Sequence, residues 1–365
     1  TEHVLVGGRG IVRGPGESPS HQGPGLGVTS TAPMFDHLHR MTDGRGTFEH
    51  ALYAAPRHSL GYCTDDMARV LLVAAREPDP SPEVRELART GLRFLIDAQD
   101  PGGAYRNRLS RRGRWEDEPA LEDCWGRSIW GLGTAVSHSD DDWLRETATA
   151  EFERAAQRRS IYPRAMAFAG LGAAEFLTVE PRHRGARALL IDVADGLAPP
   201  RADAVWQWPE ARLRYANAVL PDAMIAAGQA LDQQMLLLHG LDLLAWLLAH
   251  ETADGHMSVT PAGGAGPGDI RPAFDQQPIE VAAIADACAR AMVVDSDCRW
   301  VDGLAAAEAW FLGDNDGHYV MWDPKTGGGF DGLTSRGPNL NQGAESTLAL
   351  VSTLQHACRL VSASR

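Results

Sequence analysis

EDCWGRSIWGLGTAV (122–136), DWLRETATAEFERAAQRR (142–159) and YPRAMAFAGLGAAEFLTV (162–179) are consecutive helical segments of two different kinds. The first and third are small and apolar almost all round, which calls for burial on both sides. The second carries a face of Arg and Glu and belongs on the outside. The alternation extends along the chain. Buried-type segments recur at 65–76, 215–231, 278–294 and 341–361, and outer-type segments at 82–99, 183–198 and 299–312. A strongly apolar segment at 232–251 and a short helix at 35–41 complete twelve. No strand–turn–strand series competes with this periodicity. Inner and outer helices in strict alternation, six of each, predict an all-α closed double ring of hairpins spanning 32–365. Residues 1–31, rich in Gly, Pro and Ser, read as an extended or poorly ordered arm.

The connections differ in length by direction. Inner-to-outer links such as EPDPS (77–81) and SHSDD (137–141) are tight, whereas outer-to-inner links are long at about 100–121, 199–214, 252–277 and 313–340. Long loops inside a compact domain are usually functional. All of them emerge on one rim, beside the N-termini of the inner helices, which places a candidate site there without any motif. Three outer helices end in a glycine turn followed by a short extended piece, in QDPGGAYRN (99–107), ADGHMSV (253–259) and NDGHYVMW (315–322). Glycine there supplies the positive backbone angle that ends a helix.

Composition narrows the function classes. Of 365 residues, 44% are hydrophobic and 22% charged, as in a soluble globular protein, and the net charge of −14 is spread along the chain. An acidic surface excludes a nucleic-acid partner and an anionic membrane surface. No apolar run reaches the length of a membrane span, and no leader pattern is visible. Five cysteines without a CxxC pair suit a reduced, cytoplasmic protein without structural zinc. No metal-ligand spacing such as HExxH appears, and neither a metal nor a cofactor is expected. GGAGPG (263–268) and TGGG (326–329) follow no strand and lack a Lys-Ser/Thr pair, so they are loops and not phosphate cradles.

Each loop brings polar and aromatic residues to the start of an inner helix. RHSLGYCTDDMAR (57–69) carries Arg57, His58, Tyr62, Asp65, Asp66 and Arg69. WEDEPALEDCWGR (115–127) carries Trp115, Glu122, Asp123, Trp125 and Arg127, and WQWPEARLRYAN (206–217) carries Trp206, Trp208, Tyr215 and Asn217. RPAFDQQPIE (271–280) adds Asp275, Gln276, Gln277 and Glu280, and the stretch 321–347 adds Trp322, Asp331, Asn341, Gln342 and Glu345. Planar acceptors and donors suit sugar hydroxyls, and Trp and Tyr suit the apolar faces of pyranose rings. Cleavage of a glycosidic bond needs one protonated and one ionised carboxyl on either side of it. First-turn Asp and Glu are also ordinary helix-capping chemistry. Capping leaves the Gln276–Gln277 pair, the Asn339/Asn341/Gln342 cluster and the loop tryptophans unexplained.

These motifs resemble a known group. The alternating helices with polar inner-helix starts are similar to the (α/α)6 toroid of the six-hairpin glycosidase superfamily. GYCTDDMAR (61–69), LEDCWGR (121–127), FDQQPIE (274–280), DPKTGGGFDGL (323–333) and NLNQGAEST (339–347) resemble bacterial toroid domains often labelled glycosyltransferases, or fused or adjacent to retaining glycosyltransferases and mannoside-processing enzymes. The resemblance covers about 33–361 and departs from the group at Met67 and Trp125, where Asn and His are commoner. It implies a carbohydrate-active toroid and a functional association with a glycosyltransferase. The chain itself has no Rossmann-like half for a nucleotide sugar.

The expectation is therefore an inverting glycoside hydrolase acting on a neutral oligosaccharide or polysaccharide, with mannosides among the candidates. The catalytic candidates are Asp275, Glu345, Asp66, Asp123 and Glu280, with Asp275 and Glu345 as the first pair. The other named residues bind substrate. A sugar epimerase or isomerase using His58, His256 or His318, and a non-catalytic glycan-binding domain, are the alternatives.

Overall fold

The computed structural model of the chain describes residues 31–203 and 205–363, so the expected arm at 1–31 lies almost wholly outside the described residues. Among the described residues twelve α-helices follow in order: α1 (Asp36–Met41), α2 (Thr64–Arg76), α3 (Pro82–Ala98), α4 (Asp123–His138), α5 (Asp142–Ala155) and α6 (Pro163–Val179), then α7 (Arg184–Gly196), α8 (Val219–Ala230), α9 (Gln234–His250), α10 (Pro278–Val294), α11 (Arg299–Leu312) and α12 (Ala344–Ala363). The even-numbered helices pack side by side in chain order, and α12 returns to α2. Each of α3, α5, α7, α9 and α11 packs outside the helix before it, and α1 packs on α12. The fold is an (α/α)6 toroid. No helix among the described residues is long and apolar enough to cross a membrane.

Small residues let the inner helices approach at backbone distance. A Cβ on Gly133 of α4 would stand 2.0 Å from the carbonyl oxygen of Gly172 on α6, and one on Gly126 would stand 2.2 Å from that of Ala165. The tight links are built by caps. Ser81 Oγ accepts from Val84 N at 3.3 Å ahead of Pro82, and Asp141 Oδ1 accepts from Leu144 N at 3.3 Å.

The structure sharpens the sequence reading in three places. The apolar segment at 232–251 is the outer helix α9, with Met235 and Leu238 exposed. Helix α8 begins at Val219 and not at 215, because Ala216 takes a left-handed backbone and the turn before the helix is tied to Glu280. Helix α12 begins at Ala344 and not at 341, because Gln342 N donates to Tyr53 O and Asn341 Oδ1 accepts from Tyr53 N. The rim loops carry short antiparallel pairs, including 62–63 with 108–109 and 332–334 with 337–339. Gly103 and Gly255 hold the positive φ expected of the glycine turns, while in the third turn His318 does so instead of Gly317.

Candidate active site

The N-terminal ends of α2, α4, α10 and α12 open into one cavity of about 490 Å³. Helix α2 contributes Asp65, Asp66 and Arg69, α4 Asp123 and Arg127, and α12 Glu345 and Ser346. The loops add Glu49, His50, Cys63, Arg108, Tyr215, Gln277, Asp331 and Asn339. Six carboxyl groups therefore face three guanidiniums and a single imidazole. That balance suits hydroxyl-rich neutral ligands better than polyanions.

Arg69 organises the centre. Its Nη1 donates to Asp66 Oδ1 at 2.7 Å and its Nη2 to Glu345 Oε2 at 2.8 Å, so one guanidinium holds carboxyls from the first and last inner helices. The two carboxyls differ in environment: Asp66 is 3% exposed, whereas the Glu345 side chain is 44% exposed. Burial pushes the Asp66 carboxyl up to about 8, more than Arg69 brings it down, and the charges of Glu345, Glu49 and Asp65 push the same way. Asp66 is thus the carboxyl whose surroundings favour keeping a proton, beside a carboxyl that solvent can reach.

The next layer fixes these groups. Asp65 Oδ2 accepts from Asn107 Nδ2 at 2.9 Å, and Asp65 Oδ1 lies 3.3 Å from Arg127 Nε. Arg127 lies 3.9 Å from Asp123 and above the Phe168 ring at 3.9 Å. Burial, followed by the like charge of Arg69, brings the Arg127 guanidinium down from its ordinary value. Burial of the Tyr215 ring, with the Asp123 carboxylate beside it, raises the phenol. Asp331 Oδ1 accepts from Gly343 N at 2.7 Å and Ser346 Oγ at 2.8 Å, clamping the start of α12.

Of the sequence candidates, Asp65, Asp66, Arg69, Asp123, Arg127, Tyr215, Gln277, Asp331, Asn339 and Glu345 meet at this cavity. The others do not line it. Asp275 is exposed on the loop strand that bridges Pro261 and Leu333 through Gln276. Gln276 is fully buried and donates to Asp316 Oδ2 at 2.5 Å, and Gln342, 3% exposed, accepts from Thr326 Oγ1 at 2.7 Å. Glu280 turns inward and accepts from Ala216 N, and from Asn217 N and Nδ2 at 3.1 and 3.0 Å; it and Asn217 build the turn that carries Tyr215.

The expected stacking platforms are core. Trp206 and Trp208 are buried with Trp246 and His250, Trp125 donates to Ala155 O at 3.3 Å, and Tyr62 donates to Asp43 at 2.7 Å. Trp115 packs edge-on to Phe94, and Trp322 is partly buried against the core. Arg57, His58 and Glu122 are exposed outside the cavity lining, and Asn341 is spent on Tyr53. His256 pairs with Asp316 at 2.9 Å, and its ring centroid lies 6.1 Å from that of His318, away from the carboxyl cluster.

The sequence reading missed Glu49, His50 and Arg108. Glu49 pairs with Arg108 across the rim. Arg108 sits in the long 100–121 loop that loop length had already marked. Glu49 and His50 sit in the 42–63 link between α1 and α2, which is as long as the 100–121 loop and which the sequence reading leaves out of its long links. Glu49, Cys63 and Asp66 bring ligand atoms within 4.8 Å of one another. Both carboxyls of this group already hold a cationic partner, Asp66 with Arg69 and Glu49 with Arg108.

No protein-family model matches the chain, and no curated protein sequence matches it. Several solved structures do. A sugar epimerase from a ruminal bacterium aligns over 89% of this chain and 95% of its own, with a TM-score of 0.66 at 12% identity. A GH76 α-mannanase of Bacteroides thetaiotaomicron aligns over 84% and 89%, with a TM-score of 0.57 at 10% identity. An inactive double Asp-to-Asn variant of an α-1,6-mannanase of Salegentibacter, in complex with α-1,6-mannotriose, aligns over 89% and 98%, with a TM-score of 0.58 at 12% identity. At these identities the likeness is one of fold, and the chain shares the (α/α)6 toroid with enzymes that act on sugars.

Proposed function

We propose that the protein is a glycoside hydrolase acting on a neutral oligosaccharide or polysaccharide, with α-mannosides as the first substrates to try. The observation that carries this reading is the Asp66–Arg69–Glu345 arrangement, a buried carboxyl that favours its proton and a solvent-reachable carboxyl on one guanidinium. Asp66 protonates the leaving oxygen, and Glu345 activates the water that attacks the anomeric carbon. Asp66 takes the place that the sequence reading gave to Asp275. Arg69 and Arg127 orient hydroxyls, Asp123 with Tyr215 and Asp331 accept from them, and the Tyr215 ring, 41% exposed, offers the stacking face.

One likeness supports it. The mannanase variant made inactive carries two Asp-to-Asn changes, and in this chain the adjacent pair Asp65–Asp66 lines the cavity. The epimerase likeness supplies the competing reading. Moving a proton on and off a sugar carbon near pH 7 favours imidazoles. Six carboxyls and one imidazole favour acid-assisted cleavage. The glycosyltransferase association implied by the resemblance draws no support from these likenesses and is not carried forward.

The test is incubation with α-1,6-mannotriose, other mannosides, glucosides and arabinosides, with the products followed by NMR. Hydrolysis with inversion is the expected result, with Asp66→Asn and Glu345→Gln each lowering turnover by about 10²-fold or more. Deuterium uptake at a sugar carbon with no bond cleaved would make the protein an epimerase, and binding without turnover would make it a glycan-binding domain.

A further inference from the structure

A narrow shaft descends from the floor of the cavity along the ring axis, and all six inner helices wall it. Arg69, Arg127, Ile279 and Glu345 line both spaces, whereas Asp66 lines the upper one alone. Seven residues further along α10 and α12, Asp286 and Ser352 form the floor with Asp222 of α8. At 1.5 Å per helical residue the shaft is about 10 Å deep. A single file of waters about 2.8 Å apart would number about three or four over that depth. The volume of the shaft is about 50 Å³. At about 10–15 Å³ per water it holds about three to five. Both measures fit a file of waters, and neither admits a sugar ring.

The two ends of the shaft are polar and its waist is apolar. Arg69 and Glu345 stand at the top. At the floor, Asp286 Oδ1 accepts from Arg76 at 2.8 Å and from Ser352 at 3.1 Å, with His356 Nε2 at 2.7 Å, and Asp222 Oδ1 accepts from Arg290 at 2.6 Å. These bonds leave Oδ2 of both carboxyls without a donor among the described residues. Neither Oδ2 is sealed off, unlike the indole nitrogen of Trp130 in the wall, so a water can reach each of them. Between the ends, Leu72, Val73, Val219, Ala282, Leu348 and Ala349 offer no polar side chain. A water at the waist bonds only to the waters above and below it, and about two bonds are the least that hold a buried water. A file anchored at both ends meets that condition, and a lone water at the waist does not.

We propose that the shaft holds a file of waters and that its top member, at Glu345, is the nucleophile of the hydrolysis. The proposal rests on the hydrolase reading of the cavity and deepens it by fixing the side of attack. Glu345 reaches the shaft and Asp66 does not, so water and acid meet the sugar from different sides. A glycan seated in the cavity covers the shaft mouth and leaves the top water beneath the anomeric carbon. The water oxygen bonds to that carbon as the glycosidic C–O bond breaks. Glu345 takes the water's proton, and the Asp66 proton passes to the leaving oxygen. Attack opposite the leaving group inverts the anomeric centre. The waters below, tied to Asp222 and Asp286, hold the top one in place before substrate arrives, which lowers the ordering cost of the reaction.

The test is a crystal structure of the whole chain at a resolution that shows ordered water, with steady-state kinetics on the glycoside it cleaves. A file of about three or four water peaks from Glu345 down to Asp222 is expected in the wild type. Ala282→Val and Ala349→Val narrow the waist from two different helices, and neither position lines the cavity above. Each should break the file and lower kcat about tenfold or more while KM stays within about twofold. Near-UV circular dichroism checks both folds, and if neither variant folds the wild-type structure decides. The proposal is overturned if the wild-type shaft shows no file of waters, or if kcat is unchanged in both variants. It is equally overturned if the narrowing acts through KM alone, which would place its effect on glycan binding. Hydrolysis above a shaft without waters removes this proposal and leaves the hydrolase. No hydrolysis of any sugar in the panel removes the hydrolase and the nucleophile with it.

Discussion

Replacing Asp66 with Asn tests whether the centre of the site holds a proton. An aspartate in the unfolded chain titrates near 3.8, and in the folded chain burial moves it to about 8. Between those values the folded protein keeps a proton that the unfolded chain has released. Stability therefore falls as pH rises through this window, by about 1.4 kcal/mol per pH unit. At pH 7 the accumulated cost is about 4 kcal/mol. Asn has the same shape and no proton to hold, so Asp66→Asn should gain on the wild type by that slope from pH 5 to 7.5 and level off above 8. Denaturant melts of both proteins across this range measure it. The substitution acts oppositely on activity. Wild-type kcat/KM should fall on its basic limb with an apparent pKa near 8. Asp66→Asn should lose about 10²–10⁴ on natural glycosides. With a nitrophenyl leaving group, which departs without a proton, the loss should be far smaller. Parallel stability curves for the two proteins would show that Asp66 is ionised and that the acid lies elsewhere.

Three further substitutions separate framework from chemistry. Gly133→Ala drives a methyl into the Gly172 carbonyl and should cost about 3 kcal/mol, read as a lowered melting temperature. Trp208→Ala should destabilise by about 3–5 kcal/mol in denaturant melts, because the ring is core; a weakened sugar affinity at unchanged stability would instead make it a platform. Glu280→Ala strands the N–H groups of Ala216 and Asn217 and should cost about 3 kcal/mol. Since Tyr215 rides on that turn, KM should rise by more than kcat falls.

The ring was legible because its two helix types differ in composition: GLGAA at 170–174 admits only a buried seam, and RETATAEFERAAQRR at 145–159 only an outer face. Loop length located the rim for the same reason, since only one end of each hairpin carries extra chain. Which rim residues reach the cavity was less legible. Asp275 and Glu280 stand five residues apart in one motif, yet one faces solvent and the other is folded under the Tyr215 turn. Side-chain direction there follows from loop paths that sequence spacing does not encode. The loop tryptophans misled because large aromatics on long loops also wedge those loops onto outer helices, as Trp206 and Trp208 do against Trp246 of α9. Glu49 went unnoticed because its link, 42–63, carries no motif at the start of α2 that points back to it, although its length marks it as much as 100–121.

The Arg69–Glu345 contact joins residues 276 positions apart. Helices α2 and α12 meet where the first and last inner helices of the ring close on each other, and nothing covalent fastens that seam. Three hundred residues of hairpins must be stacked before it shuts, and it is the natural place for the ring to spring open under mild stress. Since the two carboxyls of the site sit on opposite sides of it, turnover becomes a gauge of ring closure. In rising denaturant, activity should vanish while the helical signal is still intact. A clamp across the seam would then protect catalysis more than it protects the fold.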